Sequence, residues 1–190
     1  MVGASFCCAL EEALGENSLS ILVIEAILPN ANSAKQSSFD ARSTALSFGS
    51  RKFFEGIGLW QALEEAVSAI HEIQVSDRGR LGSVEINRDE QNVEALGYVV
   101  ENQRLGQVLN SRLNESGKIN FLCPALVSSV KATEKGMQLG LQYGDTETCV
   151  DASLVVLADG GKSPVCEQLA IAHSIERYEQ HALIANIVFE

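Results

Sequence analysis

The fold of this chain is decided by residues 1–26, which read MVGASFCCALEEALGENSLSILVIEA. Residues 4–14 place Phe6, Ala9, Leu10 and Ala13 at helical spacing, and Gly15 follows where a glycine cap would end a helix. Residues 20–24, SILVI, then form the continuous apolar run that is typical of a strand buried on both faces of a parallel sheet. Helix followed by buried strand is the second half of a βαβ unit.

A glycine, Gly3, stands directly before this predicted helix. In a dinucleotide-binding βαβ unit, G-x-G-x-x-G follows the first strand and opens the helix whose N-terminus holds the pyrophosphate. If Gly3 is the third of these glycines, the first strand and the other two glycines lie ahead of Met1. Glu25 closes the second strand 22 residues after Gly3, near the interval of ~20 residues at which an acidic side chain binds the ribose hydroxyls. An ordinary acidic residue at a strand end is the alternative.

Composition limits the classes of partner. The chain has 190 residues, of which 46% are hydrophobic, so it can bury a core. Its 25 acidic and 14 basic residues give a net charge of -11, which repels phosphate backbones and predicts no nucleic-acid partner. The five cysteines show no C-x-x-C spacing and are expected to be buried reduced thiols of a cytosolic protein. Apolar runs such as ILVIEAIL fall far short of the ~20 residues that cross a bilayer, so membrane contact is at most peripheral.

The middle of the chain predicts a loop, two short helices and a hairpin. Residues 30–38 are small and polar, and residues 39–66 show helix-like spacing from Leu46 onward that Gly56 and Gly58 interrupt. Residues 70–79 alternate apolar and polar side chains, as in a strand that ends in an Asp-Arg-Gly turn, and residues 84–87 can pair back. A helix is expected from Asn102 to Leu113.

The last third predicts a β-meander that leads into a buried strand. Four strand candidates are separated by turn signals, and they lie at residues 119–123, 125–133, 136–144 and 149–158. The last of them ends in ADGGKSP, where Ser163 and Pro164 are a good N-cap and first residue for a short helix.

Two further charged residues are candidates for binding a ligand. Arg42 follows the polar loop, at a junction expected to lead into a helix, and its guanidinium could meet a pyrophosphate or a flavin edge. The alternative is a solvated surface arginine. Asp159 ends the predicted buried strand, where open α/β sheets bind ligands, and Gly160 lets the backbone approach closely. The alternative is a plain turn aspartate. The three histidines are scattered, so neither a catalytic triad nor a metal centre is predicted.

Together these motifs resemble the FAD-dependent aromatic hydroxylases, and within that family the branch of ubiquinone biosynthesis. The stretches that carry the resemblance are MVGAS, LVIEA, FDARSTALS, GIGLW, HEIQVSDRG, YVVEN, LVVLADGGKS and YEQHALIAN. The resemblance implies an α/β fold, with a Rossmann-like FAD-binding domain of the glutathione-reductase type, a β-meander and part of a mixed-sheet substrate domain. It assigns residues 1–69 and 98–172 to the first domain and 70–97 and 173–190 to the second, both incomplete, with the first strand missing.

The resemblance also implies which residues bind FAD, while it implies no catalytic residue and no metal. The FAD-binding residues that it implies are Gly3 at the pyrophosphate, Glu25 at the adenosine ribose, Arg42 toward the flavin, Asn102 at a position that touches FAD, and Asp159 with Gly160 in a DG motif shared by FAD and NAD(P)H binding.

The activity that the resemblance implies is hydroxylation of a polyprenylated phenol. NAD(P)H reduces the flavin, molecular oxygen adds to it as a C4a-hydroperoxide, and the distal oxygen passes to the ring, while the protein binds, orients and excludes water. Other enzymes of the ubiquinone pathway are candidate partners, and the protein is expected in the cytoplasm, at most peripheral at the inner face of the membrane. Since the family's later GD motif has no counterpart here, we expect the 190 residues alone to be inactive.

Two other interpretations stay open at this point. An NAD(P)-linked dehydrogenase with a classical Rossmann domain predicts a further parallel βα unit after Glu25, whereas the sequence shows a long loop and then a meander. The second interpretation is a truncated chain that has no catalytic activity of its own, and the incomplete glycine fingerprint favours this interpretation.

Overall fold

The structure is a computed structural model that describes residues 1–15, 19–28, 42–77, 79–161, 163–172 and 174–179. The chain forms two compact units, residues 1–30 with 110–190, and residues 31–109. The predictions for residues 30–38, for Arg78 in the hairpin turn and for residues 180–190 lie outside the described residues.

Five helices and ten strands are present in the described residues. In chain order they are α1 (Val2–Leu14), β1 (Ile21–Ile24), β2 (Ser43–Ser47), α2 (Phe48–Gly56), α3 (Trp60–Glu64), β3 (Val67–Ile70), β4 (Glu72–Ser76), β5 (Ser83–Asn87), β6 (Gly97–Glu101), α4 (Asn102–Glu115), β7 (Ile119–Leu122), β8 (Leu126–Thr133), β9 (Gly136–Tyr143), β10 (Thr146–Ala152) and α5 (Pro164–Gln168). Along the described part of the chain, none of these helices is long and apolar enough to cross a membrane.

In the first unit, α1 leads into a parallel strand pair, as the sequence predicts, but the expectation that β1 is buried on both faces is wrong, since its residues are half-buried or exposed. Gly15 ends α1 with a positive φ of 52°, a conformation that glycine adopts without strain. Strand β1 pairs in parallel with β7, from Ile21 opposite Ile119 to Ile24 opposite Leu122. The ladder continues beyond β1, because the Glu25 amide donates to the Leu122 carbonyl (3.0 Å) and the Glu25 carbonyl accepts from the Ala125 amide (2.8 Å). Glu25 is therefore fixed at the carboxyl edge of this strand pair.

The predicted β-meander is confirmed. Strands β8, β9 and β10 form an antiparallel sheet in the order β10-β9-β8, with Leu139 and Leu141 buried. The short helix after it is also confirmed, since the Ser163 hydroxyl accepts from the Cys166 amide (3.1 Å) as an N-cap. The side chain of Gln168 in α5 accepts from the Val130 amide of β8 (3.0 Å), which joins the helix to the edge of the sheet.

The prediction of a buried strand that runs to residue 158 is wrong. Strand β10 ends at Ala152, and residues 153–158 belong to no strand. Leu154 is 78% exposed and Val156 is 52% exposed. A strand exists only where a neighbour supplies hydrogen bonds, and within the described residues no strand pairs with this apolar segment.

In the second unit, an antiparallel sheet of order β2-β6-β3 packs with α2 and α3. Leu63 is completely buried, and Trp60 and Tyr98 meet edge to face with ring centroids 4.8 Å apart. Leu46, which the sequence analysis placed at the start of a helical spacing, lies in strand β2 because β6 pairs with all residues of Ser43–Ser47. Gly97 makes this pairing possible, since a Cβ there would lie 2.5 Å from the Leu46 carbonyl oxygen.

The predicted hairpin and the long helix of this region are confirmed. Strands β4 and β5 pair antiparallel, with Ile73 opposite Ile86 and Val75 opposite Val84 on one face. Helix α4 begins at Asn102 as predicted and ends at Glu115, two residues beyond Leu113.

Candidate cofactor-binding site

The N-terminal end of α1 has the features of a phosphate site. In the described residues no side chain caps this end of the helix, and no acidic residue lies in its first turn. Within the described residues, α1 itself therefore supplies no side chain that occupies the amide groups at the positive end of the helix dipole. Gly3 lies in this turn, and a Cβ at Gly3 would lie 3.1 Å from the Cβ of Ala158. The structure thus brings Gly3 close to the residue that precedes Asp159.

Glu25 lies near the same helix end. Burial lowers the pKa of the Met1 amino group and the Glu25 carboxylate opposes that shift, which places the carboxylate within electrostatic reach of the start of α1. Oε1 of Glu25 accepts from the Ile27 amide at 3.0 Å. A carboxylate offers about four acceptor positions, so this bond leaves acceptor capacity for hydroxyl groups of a ligand.

Cys123, which the sequence analysis did not select, lies beside Glu25. It follows the last residue of β7, and its thiol donates to the Ile27 carbonyl (3.4 Å). Burial raises the pKa of the Cys123 thiol, and the negative charge of Glu25 raises it further. The only sequence signal was its place at the carboxyl end of a strand, where parallel sheets bind ligands.

Asp159 and Gly160 lie in an irregular turn rather than at the end of a strand. Asp159 is exposed, and the expectation that it ends a buried strand is wrong. The reason is the one given for Leu154: no described strand pairs with the segment that precedes Asp159. Gly160 has a φ of +92°, a conformation that side chains rarely adopt. The backbone conformation at residue 160 therefore favours glycine over any residue with a side chain.

Arg42 and Asn102 come together in the second unit. The Asn102 amide donates to the Arg42 carbonyl at 2.8 Å, where β2 begins and β6 passes into α4. Asn102 is 5% exposed, and its Oδ1 accepts from the Thr44 hydroxyl at 2.5 Å. Thr44, which the sequence analysis did not select, therefore fixes the side chain of Asn102. Arg42 precedes a strand and not the helix that the sequence predicted.

The six predicted residues thus fall into two groups. Gly3, Glu25, Asp159 and Gly160 belong to the first unit, and Arg42 and Asn102 belong to the second. In the described ranges, no three His, Cys, Asp or Glu side chains are arranged to hold a metal ion.

Comparison with known proteins decides the family. Residues 20–190 match the FAD binding domain family. The chain belongs to this FAD-binding family. Over its full length it is 30% identical to the ubiquinone hydroxylase UbiL of Rhodospirillum rubrum, of which it covers 42%. It is 26% identical to the 3-demethoxyubiquinol 3-hydroxylase of Escherichia coli, with 96% of this chain and 46% of that protein covered. This FAD-binding chain therefore spans less than half the length of these curated relatives.

Solved structures agree on the fold. The probable FAD-dependent monooxygenase PqsL of Pseudomonas aeruginosa superposes with a TM-score of 0.68 at 20% identity, over 92% of this chain and 44% of that one. The predicted α/β, Rossmann-like FAD-binding fold is confirmed, and so are FAD as the cofactor and the resemblance to the ubiquinone hydroxylases.

The residues of the first unit fit a dinucleotide. In the described residues, the start of α1 offers a pyrophosphate backbone amide groups that no capping side chain occupies, and Gly3 carries no side chain that would block a close approach. Glu25 offers carboxylate oxygens suited to ribose hydroxyls, at the edge where parallel strands bind ligands.

Proposed function

We propose that the protein containing this chain is an FAD-dependent monooxygenase that hydroxylates a polyprenylated phenol in ubiquinone biosynthesis. The observation that carries the proposal is 30% identity to a ubiquinone hydroxylase along all 190 residues, within an FAD-binding family. The motifs also resemble those of 2-octaprenyl-6-methoxyphenol hydroxylase, which supports a phenol with a polyprenyl tail as the substrate class.

The adenosine half of FAD is held by the first unit in this proposal. The N-terminal turn of α1, with Gly3, binds the pyrophosphate through backbone amides and the helix dipole. Glu25 accepts from the ribose hydroxyls, and its hydrogen bonds to Leu122 and Ala125 hold the backbone that presents the carboxylate.

The remaining four predicted residues act nearer the flavin. Arg42 and Asn102 are joined by a backbone hydrogen bond, and Thr44 orients the Asn102 side chain. Asp159 and Gly160 form the DG turn that FAD and NAD(P)H share. Bound FAD supplies the electron transfer and oxygen activation, with NAD(P)H as reductant, while the residues of this chain bind, orient and exclude water.

The domain division also belongs to the proposal. Residues 1–69 and 98–172 form the FAD-binding domain, and residues 70–97 and 173–190 contribute to the substrate domain. We further propose that the protein works in the cytoplasm with molecular oxygen and the phenol as partners, at most peripheral at the inner face of the membrane. Other enzymes of the ubiquinone pathway are further candidate partners.

The proposal is tested on the full-length protein that contains this chain. Purified protein should be yellow, should oxidise NAD(P)H when a polyprenylated phenol is added, and should place one atom of labelled molecular oxygen in the new hydroxyl group. Reduction of NAD(P)⁺ without oxygen uptake would indicate the dehydrogenase instead. In the source organism, deletion of the gene should leave a quinone precursor that lacks one hydroxyl group, and normal ubiquinone in the deletion strain would refute the assignment.

A further inference from the structure

A buried carboxylate in α1 takes no part in the proposed cofactor site. Glu11 is only 8% exposed, although it lies on a helix whose sequence pattern predicted Phe6 and Ala13 on the buried face. Its Oε1 accepts from the Ser116 hydroxyl at 2.6 Å, and Nη2 of Arg112 lies 3.3 Å from Oε2. Two residues near the end of α4 therefore compensate this charge.

Ser116 passes the contact on to the parallel strand pair. Its hydroxyl oxygen accepts from the backbone amides of Lys118 and Ile119, each at 3.1 Å. Ile119 is the first residue of β7, and it pairs with Ile21 at the start of β1. One hydrogen-bond chain thus runs from the last turn of α1 to the strand pair that ends at Glu25.

A second contact fixes the C-terminal end of α1. Nζ of Lys118 donates to the carbonyl of Gly15, the cap residue of the helix. The last turn of α1 contains no basic residue of its own, so Lys118 places a positive charge where the helix dipole favours one. Glu11 and Gly15 are therefore both joined to the same short segment, residues 116–118.

We infer that Glu11, through Ser116 and Arg112, is a positioning residue for FAD binding that fixes α1 relative to β1 and β7. The inference rests on the proposed function, because the residues it positions are Gly3 on α1 and Glu25 after β1. Glu11 follows Gly3 by eight residues, which is ~12 Å along a rigid helix. A tilt or shift of the helix at Glu11 therefore moves the phosphate-binding turn relative to Glu25.

The energetics favour positioning over simple stabilisation. A buried ion pair adds little net stability because desolvation cancels most of the attraction, whereas its fixed geometry holds the two helices in one arrangement. Gly3 also lies close to Ala158, since a Cβ built at Gly3 would be 3.1 Å from the Ala158 Cβ, so a displacement of α1 would change this contact as well.

The test uses the full-length protein that contains this chain, with FAD removed and added back. The variants are Glu11→Ala, Glu11→Gln, Ser116→Ala and the double variant Glu11→Ala with Ser116→Ala. The matched control is Glu12→Ala, the exposed neighbour on the same helix. Two quantities are measured for each protein: the dissociation constant for FAD and the thermal midpoint without FAD.

We expect Glu11→Ala to weaken FAD binding about tenfold, because FAD binding must then supply the free energy that holds α1 in place against β1 and β7. Ser116→Ala should weaken it by a similar factor, and the double variant should be no weaker than either single one, because both residues act in one chain of contacts. Glu11→Gln keeps an oxygen acceptor for Ser116 and should recover binding to within about threefold of wild type. Glu12→Ala should bind as wild type does.

A purely structural role would lower the thermal midpoint of the FAD-free protein and leave the FAD dissociation constant unchanged, and that result in Glu11→Ala would overturn the inference. If Glu11→Ala does not fold, an unchanged constant in Ser116→Ala overturns it equally. Failure of the wild-type protein to bind FAD would refute the proposed function together with this inference. Wild-type binding with unaffected variants would refute the inference alone.

Discussion

Replacement of Glu25 tests the proposed ribose contact most directly. The backbone of Glu25 is held by its own hydrogen bonds to Leu122 (3.0 Å) and Ala125 (2.8 Å), so a change of side chain leaves the strand pair in place. The side chain makes an exposed bond to the Ile27 amide (3.0 Å). Glu25→Ala should therefore lower the free energy of unfolding by no more than ~1 kcal/mol, the usual value of such a bond.

The expected effect on FAD binding is larger. Hydrogen bonds from ribose hydroxyls to a carboxylate are charge-assisted and contribute ~1.5 to 3 kcal/mol, so Glu25→Ala should weaken FAD binding about tenfold to a hundredfold. Glu25→Gln keeps one oxygen acceptor and loses the charge, so its loss should lie near the lower end of that range. Glu134→Ala, which removes an exposed carboxylate from the β8–β9 turn, is the control and should have no effect.

The assay is quenching of FAD fluorescence on addition of FAD-free, full-length protein, with urea unfolding of the same preparations as a check on folding. The comparison is valid if all variants unfold within ~1 kcal/mol of wild type. An FAD dissociation constant for Glu25→Ala within about twofold of wild type, in a folded protein, would show that the carboxylate does not hold the ribose.

Three further changes have expected outcomes. Asp159→Ala should weaken FAD binding about tenfold, as measured by equilibrium dialysis against FAD. This is the lower end of the range for a charged hydrogen bond, because Asp159 is exposed. Gly97→Ala should destabilise the β2–β6 pairing by ~1 to 3 kcal/mol in urea unfolding, because the new Cβ would lie 2.5 Å from the Leu46 carbonyl oxygen, whereas Gly117→Ala, with open space around it, should change little. Burial raises the pKa of the Cys8 thiol from 9.0 to about 11. The protonated thiol therefore contributes its full share of the folding free energy below pH 9.0, and this share is lost as the pH rises toward about 11. Urea unfolding at a series of pH values should show the loss of stability in wild type and a smaller loss in Cys8→Ala.

Several elements could be predicted because their causes are local. Gly15 ends α1 and Ser163 caps α5 through contacts within four residues, and both signals stand in the sequence itself. The hairpin of β4 and β5 follows from alternation of apolar and polar side chains over adjacent segments. The spacing of Gly3 and Glu25 likewise reflects the length of one helix and one strand, so the start of the candidate site could be named before the fold was known.

Other elements depend on partners that are distant in the chain. Leu46 fits a helical spacing, yet it lies in β2 because Tyr98 on β6 is directly opposite and supplies the pairing. Leu154 and Val156 fit a buried strand, yet no described strand pairs with them. Apolar periodicity records which side chains prefer burial, and it does not record whether a neighbouring strand is available to bond the backbone.

The same distinction applies to the site. The sequence by itself determined the fold class, the family resemblance and the residues that match its motifs. Only the tertiary structure showed that Thr44 donates to Asn102 and that Cys123 lies beside Glu25. It also showed that Ser116 donates to the carboxylate of Glu11, 105 residues earlier in the chain. Glu11 is buried because Arg112 and Ser116 compensate its charge, and such compensation exists only after the chain has folded and brought distant side chains within hydrogen-bonding distance.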